Sequence, residues 1–393
     1  MNTPKLLQEE AETEQANKKM SQRSPGVQRY LVAVEYIGTN FVGFQKQPNG
    51  RTVQGMLEDA FSKFIGQPVS SACSSRTDAG VHALANVCHV DVERISKRKP
   101  GEVLPPHKPG VVKSAVNHFL QKNAGDMSVV DVQCVPITFH ARFKAQERTY
   151  YYRILSGIEP LSTFEKDRAW HVPEDLNVSL MKEACKVLIG HHDFSSFRAS
   201  GCQAKSPIKS LTQLDVFEIP AWPAFPSSTE RVCRVDTPDR KDAHLSFERK
   251  DNIDKPVQNV GDISLSCEHP VERKIPVLCP EDHEDYNEGE VIEFGCRRGH
   301  HGYVVTARAP SFLYHQVRLL VGALKCVGTG KLSVEDVERI LKARSIMVAP
   351  PMAPAHGLYL AKVKYDFSSN KVNQIEDDGL SVLGAPICNP PLT

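Results

Sequence analysis

The sequence predicts a mixed α/β fold, because strand-like segments alternate with amphipathic helical segments along most of its 393 residues. A chain of this length accommodates one large domain or two ordinary ones, each with a substantial core. Lys and Arg (48) nearly balance Asp and Glu (47), so no overall charge attracts nucleic acid or an anionic membrane. Any binding of nucleic acid must therefore depend on local basic surface.

The first half of the chain alternates regularly between the two kinds of element. Residues 30–37 are rich in β-branched and aromatic side chains, which is typical of a strand. Apolar residues then recur at helical spacing from Val53, with Thr52 placed to cap the helix and Gly66 placed just after its end. Three further elements are predicted: a strand at 85–92, a helix at 111–120 and a strand at 128–135.

The second half shows similar elements, interrupted by one polar stretch. The predicted order is strand 148–155, helix 179–189, strands 209–217, 290–294 and 302–309, helices 314–327 and 334–343, and strand 357–365. From about 220 to 290 the apolar periodicity is replaced by Pro, Ser, Asp and Glu, which predicts a mostly disordered acidic insert. The expected division is a tail at 1–27, an N-terminal half at 28–145, a C-terminal half at 146–366 and a tail at 367–393.

The cysteines and histidines argue against a metal centre. The eleven cysteines stand singly without a C-x-x-C pair, which is typical of free thiols in a reducing compartment. Adjacent histidines, as at 191–192 and 300–301, point to opposite faces of a strand and are poor joint ligands. Nor does the chain contain a recognisable phosphate-binding loop or flavin motif. We therefore predict neither a metal nor a cofactor.

The N-terminus does not resemble a targeting segment. Residues 1–26 are polar and partly acidic, and no apolar run in the chain approaches the roughly 20 residues of a membrane span. We expect a cytoplasmic or nuclear protein that does not enter the membrane. A start at Met20 would give a shorter, basic N-terminus, which leaves mitochondrial or plastid import open.

The most informative segment is residues 74–83, which read SSRTDAGVHA. Gly80 can adopt the positive φ that closes a turn, and Arg76 offers the Asp78 carboxylate a donor that favours its ionised form. His82 is interpreted as a structural hydrogen-bonding residue beside the turn. Taken alone, the pattern favours a surface turn in which Asp78 only caps backbone N–H groups.

This segment resembles the R-T-D-x-G-V-H-A signature of the TruA-type tRNA pseudouridine synthase family. Six further blocks match the family in the same order: 43–45 with 52–55, 139–142, 148–152, 193–198, 312–318 and 355–360. The resemblance extends from about Tyr30 to Tyr365, apart from the insert. The acidic insert departs from the short bacterial pattern, and we expect a eukaryotic member of the family.

The resemblance implies two RNP-type, ferredoxin-like halves whose antiparallel sheets join, with helices on the outer face and an RNA cleft between the halves. It implies transfer RNA as the partner, a uridine of the anticodon arm as the first expected target, and isomerisation to pseudouridine. Such a reaction is consistent with the predicted lack of a cofactor. Homodimer and monomer both remain open, because the insert lies outside the bacterial pattern.

The resemblance also assigns roles to individual residues. Asp78 is the implied catalytic carboxylate, Arg318 the cation that keeps it ionised, and Tyr150 the ring that lies against the target uracil. Leu358, in the last matching block, is expected to contact the substrate. From composition alone, Arg318 fits equally a helix-surface arginine, and Tyr150 fits equally a packing residue in a run of three tyrosines.

Three arginines are expected to contact RNA, because a guanidinium can bind two phosphate oxygens at once. They are Arg76, Arg142 and Arg198, together with the basic cluster at 97–99. Other functions remain open at this point. The chain fits a non-catalytic RNA-binding or RNA-folding protein of the same fold, a pseudouridine synthase for messenger or mitochondrial RNA, and a carboxylate enzyme acting on small nucleosides.

Overall fold

The computed structural model describes residues 26–99, 101–122, 124–220 and 300–367, with two short strands at 232–233 and 297–298. Of the described residues, those up to 220 and from 300 onwards form one compact unit, and the two short strands belong to a second. The predicted tails and the predicted insert lie outside the described residues except for a few positions, and the strand predicted at 290–294 lies wholly outside them.

The strands are numbered in chain order. They are β1 (Val27–Tyr36), β2 (Ser71–Cys73), β3 (His82–Glu93), β4 (Met127–Val135), β5 (Ala145–Ser156), β6 (Trp170–Val172), β7 (Gly190–Asp193), β8 (Ile208–Leu211), β9 (Gln213–Ile219), β10 (Val232–Cys233), β11 (Arg297–Arg298), β12 (His301–Ala309) and β13 (Leu358–Tyr365). Strands β10 and β11 pair with each other in the second unit. All the other strands belong to the first unit.

The helices of the described residues also belong to the first unit. They are α1 (Val53–Ile65), α2 (Pro109–Gln121), α3 (Val178–Leu188), α4 (Gln316–Gly328) and α5 (Val334–Ala343). Within the described ranges, every helix falls short of the length and apolarity that a membrane crossing needs.

One large sheet dominates the first unit. Its order is β4-β1-β3-β13-β5-β12-β9, with β2 added beside β3 and β6 beside β5. Neighbouring strands are antiparallel, except that β13 is parallel to β3 and β6 is parallel to β5. Strands β7 and β8 form a separate hairpin-like pair. The predicted α/β class with joined antiparallel sheets is confirmed, and the junction is β13.

The buried apolar residues form two clusters. One draws mainly on β1, α1, β3, α2 and β4, and the other mainly on β5, α3, β9, β12 and α4. Strand β13 contributes to both, since Leu358 belongs to the second cluster while Leu360 and Val363 belong to the first. Tyr150 packs against both clusters. The sheet therefore carries two clusters of buried apolar residues that meet along β13 and the middle of β5.

The sequence correctly predicts the ends of some helices and strands but not of others. The Thr52 hydroxyl accepts the Gly55 N–H at 3.1 Å, and Gly66 ends α1 with a φ of 87°, so the predicted cap and end are confirmed. The helix predicted from 314 begins only at Gln316, because His315 has left-handed backbone angles of φ 60° and ψ 8°. The strand predicted at 209–217 is two strands, because β8 pairs with β7 whereas β9 pairs with β12.

Candidate active site

The loop that carries Asp78 connects β2 to β3 and is fixed by hydrogen bonds. The Thr77 hydroxyl lies 2.7 Å from the Tyr36 hydroxyl, and the Thr77 carbonyl accepts the Phe44 N–H at 3.0 Å. Gly80 has a φ of 77°, the conformation expected at the residue that closes the turn. The loop therefore holds the Asp78 side chain, which is 27% exposed, in a defined position.

His82 lies buried beside this turn and makes two hydrogen bonds. Its Nδ1 atom accepts the Gly38 N–H at 3.0 Å, so the ring proton is on Nε2, which donates to the His356 carbonyl at 3.0 Å. Burial lowers the pKa of His82 to about 4, so the ring is neutral at neutral pH. These contacts connect β3 to the segment that precedes β13, in agreement with the structural interpretation of His82.

The Asp78 carboxylate has a histidine and an arginine as its basic neighbours. The His315 Nε2 atom lies 3.4 Å from Asp78 Oδ2. Burial raises the pKa of the Asp78 carboxyl, and the positive charge of Arg318 opposes that rise. The Arg318 Nε atom donates to the Ala353 carbonyl at 2.7 Å, which fixes the base of the guanidinium. Arg318 therefore acts on Asp78 through its charge. Among the described residues, His315 is the basic side chain that directly contacts the Asp78 carboxylate.

His315 is a site residue that sequence reasoning missed. Its carbonyl accepts the Leu319 N–H at 3.1 Å and begins α4, and its ring stacks on the Tyr314 ring with centroids 3.7 Å apart. Burial and the nearby Arg318 charge lower the pKa of His315 to about 4, so it contacts Asp78 as a neutral imidazole at neutral pH. The available signal was its place three residues before Arg318, but helical periodicity placed it inside the helix.

A small cavity of about 40 Å³ adjoins this group. Its walls come from the Asp78 loop, β5, the first turn of α4 and the start of β13: Thr77, Val81, Tyr150, Phe312, Leu313, His315, Gln316, Val317, Arg318 and Leu358. Three residues expected at the site, Tyr150, Arg318 and Leu358, thus meet at one cavity. Asp78 adjoins it through its neighbour Thr77 and its contact His315.

The register of the sheet explains why Tyr150 and the Asp78 loop come together. Leu360 of β13 pairs with Tyr150 on one side and with Ala83 on the other. Since β3 begins at His82, directly after the Asp78 turn, Tyr150 lies two strands from the start of β3. The Tyr150 ring packs edge-on against Phe312, with centroids 5.2 Å apart.

The Tyr150 hydroxyl is strongly shielded. Burial, reinforced by the Asp78 charge, raises the pKa of Tyr150 to about 12. The phenol is therefore protonated at neutral pH. A neutral phenol is a poor base.

Arg148 is a second residue that sequence reasoning missed. Its Nη2 atom donates to the carbonyls of Ser74 at 3.0 Å and Arg142 at 3.1 Å, while Nη1 donates to those of Pro310 at 2.7 Å and Ala145 at 3.1 Å. Burial lowers the pKa of Arg148. This guanidinium therefore connects the Asp78 loop to β5 and to the end of β12. The sequence signal was its place at the start of the matching block 148–152, from which no role for the guanidinium was predicted.

The arginines expected to contact RNA lie in two places. Arg76 and Arg142 are both exposed, and the charges of both lower the pKa of the Cys73 thiol, against the larger opposite effect of burial. Arg198 is partly buried and donates to the Cys202 carbonyl at 3.4 Å, on the segment that bonds to Tyr314. The basic cluster at 97–99 is exposed in a separate loop.

A larger cavity of about 500 Å³ lies along a different part of the sheet. It is lined by Pro160, Leu161, Thr163, Lys166, Asp167, Ala169, His171 and His356. None of the residues expected at the active site lines it. The smaller cavity, which adjoins Asp78, is therefore the candidate active site.

Acid should destabilise the protein between about pH 6.5 and pH 4, where an unfolded histidine is protonated but native His82 is not. The unfolded state then binds the extra proton, so stability falls as the pH falls through this window. We expect His82 to account for a loss on the order of 3 kcal/mol. Urea unfolding at several pH values measures it.

In His82→Asn the amide oxygen can still accept the Gly38 N–H, but the titrating ring is gone. The dependence of stability on pH should therefore be weaker in this variant. An unchanged slope would show that other groups cause the acid sensitivity.

The protein has an α/β fold, and its candidate site places one carboxylate beside a cavity that an aromatic ring lines. A family model described as tRNA pseudouridine synthase matches residues 32–144, 184–233 and 241–366. The tRNA pseudouridine synthase A of Paramagnetospirillum magneticum is 35% identical over 343 residues, which is 87% of this chain and 97% of the relative. Those of Rhodospirillum centenum and Xanthobacter autotrophicus are each 34% identical, over 86% of this chain and 100% and 99% of their own lengths.

The chain belongs to the tRNA pseudouridine synthase family, in its TruA type. This family consists of isomerases that convert uridine to pseudouridine. The resemblance predicted from the sequence blocks is confirmed.

Proposed function

We propose that this protein isomerises uridine to pseudouridine in transfer RNA, with Asp78 as the catalytic carboxylate. The observation that carries the proposal is the convergence of Tyr150 and Arg318 on one cavity beside Asp78. The names of the relatives support transfer RNA as the substrate.

The reaction breaks one bond and forms another within a single nucleotide. The glycosidic bond between N1 of uracil and C1′ of ribose breaks, the base turns, and C5 bonds to C1′. C5 loses its proton and N1 gains one, so no electrons, water or co-reactant are consumed. A carboxylate near C1′ serves this chemistry either as a nucleophile or by assisting a glycal-type intermediate, and both routes use Asp78.

The surroundings of Asp78 suit a reactive carboxylate. A half-buried carboxylate is less solvated than one in water and therefore more reactive when ionised. The Arg318 charge counteracts the cost of burying that negative charge. His315, neutral at working pH, contacts Oδ2 without adding a full positive charge that would reduce the reactivity of the carboxylate.

Tyr150 supplies the surface against which the uracil lies. A target base must leave its stack, which costs a few kcal/mol, and stacking on an aromatic ring returns about 1–3 kcal/mol. The Phe312 ring fixes the Tyr150 ring from the side, so its orientation is set before substrate binds. Leu358 provides an apolar contact from β13.

The exposed arginines Arg76 and Arg142 suit the phosphates that flank the target, with Arg198 on the His315 side of the site.

We assign the first target to the anticodon arm and the protein to the cytoplasm or nucleus. The halves at 28–145 and 146–366 would each carry one side of the RNA-binding surface.

Release of tritium from uracil C5 of labelled transfer RNA tests this function directly. The wild type should release tritium from transfer RNA and not from free uridine, because phosphate contacts contribute most of the binding. Asp78→Asn should bind the RNA equally well and release none. As a matched control, Asp59→Asn removes a surface carboxylate of α1 that pairs with Lys63, and it should behave as the wild type.

Binding of transfer RNA without release by the wild type, across a full transfer RNA pool, would instead favour a non-catalytic RNA-binding protein. Release of tritium from messenger RNA alone would support pseudouridine formation but identify messenger RNA, and not transfer RNA, as the substrate. Turnover of free uridine would favour an enzyme for small nucleosides.

A further inference from the structure

One exposed aromatic side chain lies two residues before β5. Phe143 is 70% exposed, although it follows a buried stretch that contributes Phe139 and Ala141 to the core. Exposed apolar side chains are common singly and need no function by themselves. Phe143 differs because its backbone is fixed and its neighbours are aromatic and cationic.

The turn that carries Phe143 is held at several points. The Ala141 N–H donates to His89 Nδ1 at 3.2 Å, and the Ala141 carbonyl accepts the Tyr365 hydroxyl at 2.6 Å. The Lys144 N–H donates to the His140 carbonyl at 2.9 Å. The exposure of the Phe143 ring is therefore a property of an ordered turn.

The ring is flanked on its own turn by an imidazole and a guanidinium. The His140 ring centroid lies 4.3 Å from that of Phe143, and the Arg142 guanidinium lies 5.8 Å from it. Burial lowers the pKa of His140, so this ring is neutral at neutral pH. We call His140, Arg142 and Phe143 the aromatic platform.

Continuous contacts connect the aromatic platform to the active site. The Arg142 carbonyl accepts from Arg148, whose guanidinium also bonds to the Ser74 carbonyl and lies 3.4 Å from the Ser75 hydroxyl. The Ser75 hydroxyl in turn interacts with Tyr150. Hydrogen bonds thus connect the Tyr150 side chain, through Ser75 and Arg148, to the backbone of the turn that carries Phe143.

An unpaired base is the ligand that this combination fits. Proteins that bind single-stranded RNA stack bases on exposed aromatic rings and hold the adjacent phosphates with arginine. The aromatic platform offers a Phe143 ring that is 70% exposed together with the Arg142 charge, and Arg76 adds a second exposed charge.

We propose that Phe143 stacks on an unpaired base of the RNA substrate, next to the nucleotide held at Tyr150, while Arg142 binds the phosphate between them. This inference rests on the proposed function. It adds a second base-binding position outside the cavity, and it predicts that the enzyme prefers a target uridine with an unpaired neighbour.

The test compares four single variants with the wild type on the same transfer RNA. The affinity for RNA, KM and kcat are measured for Phe143→Ala, Phe143→Leu, Phe143→Trp and the matched control Phe164→Ala, which removes a phenylalanine that is 65% exposed elsewhere. Phe143→Ala should weaken RNA binding and raise KM by about 5- to 100-fold, the range expected for loss of one stacked base. The Phe143→Trp variant should bind at least as well as the wild type.

Phe143→Leu keeps an apolar side chain but lacks a π-face, so it should resemble Phe143→Ala if stacking is the interaction. In each case kcat with saturating RNA should stay within about threefold of the wild type, since Asp78 and Tyr150 are untouched. The salt dependence of binding should also be unchanged in Phe143→Ala, whereas Arg142→Ala should reduce the salt slope by about one. Quenching of the new tryptophan in Phe143→Trp upon RNA addition gives a direct signal.

Wild-type activity combined with unchanged RNA binding by Phe143→Ala would overturn this inference and leave the proposed function intact. A change in oligomeric state of Phe143→Ala without a change in RNA affinity would also overturn it, and would identify a protein-binding surface. Absence of pseudouridine formation by the wild type would instead contradict the proposed function itself.

Discussion

Asp78→Asn should give a protein that is at least as stable as the wild type at pH 7 but forms pseudouridine at least about 10³-fold more slowly. The loss of activity follows if Asp78 is the carboxylate beside C1′. The gain in stability follows from the raised pKa of Asp78, which shows that the folded state disfavours its ionised form even with the Arg318 charge nearby.

The sign of this effect depends on pH. Because the native pKa of Asp78 is raised, native Asp78 binds its proton more tightly than the unfolded chain does. Its contribution to stability is complete below the ordinary aspartate pKa of about 4 and is lost as the pH rises through the native pKa. Asparagine mimics the protonated form, so the variant should gain stability at pH 7 and gain none at pH 3.

Urea unfolding of wild type and variant at both pH values measures the difference. The asparagine oxygen can keep the contact with His315, so the geometry of the loop is preserved in this comparison. A large loss of stability in Asp78→Asn at pH 7 would show that the carboxylate holds the fold together, and the loss of activity could then not be assigned to chemistry.

Arg148→Ala should reduce the free energy of unfolding by about 3–5 kcal/mol, the range for disrupting a buried charged network. The variant leaves the carbonyls of Ser74, Arg142, Pro310 and Ala145 without this donor, and a buried unsatisfied carbonyl costs about 1–3 kcal/mol. Activity should fall as well, since the Ser74 bond anchors the loop that carries Asp78.

Arg148→Lys separates charge from geometry. An ammonium has three donors on one atom and cannot reproduce the fork of a guanidinium, so we expect only partial recovery of stability. Urea midpoints of both variants measure this, with Arg339→Ala as the control because that side chain is 76% exposed. Wild-type stability of Arg148→Ala would show that water or backbone movement replaces the lost donors.

Local elements were predictable because their signals are local. The cap at Thr52, the helix end at Gly66 and the apolar spacing of α1 all lie within fifteen residues, and the structure reproduces them. The start of α4 was wrong by two residues because the left-handed backbone of His315 depends on its surroundings and not on its residue type. The three-residue strands β2 and β6 were missed because pairing with β3 and β5, and not their composition, creates them.

The residues of the candidate site also divide into those that the sequence could predict and those that depend on the folded structure. Asp78, Tyr150 and Arg318 could be proposed because their blocks resemble a known family, although their sequence positions are far apart. Arg148 lies in the same matching block as Tyr150, but its role could not be predicted, since two of its partners lie 74 and 162 positions away and only the folded sheet brings them together. The contact between His315 and Asp78 likewise joins two loops that sequence spacing does not relate.

The central place of β13 has a consequence for biosynthesis. A ribosome makes residues 358–365 after every other strand of the sheet, yet these residues pair with both β3 and β5. Until they emerge, β3 and β5 each expose a strand edge whose backbone N–H and C=O groups lack their β13 partners. Such edges can pair with other chains. The N-terminal part can begin to fold during translation, but closure of the sheet and assembly of the Asp78 site must wait until translation has passed residue 365.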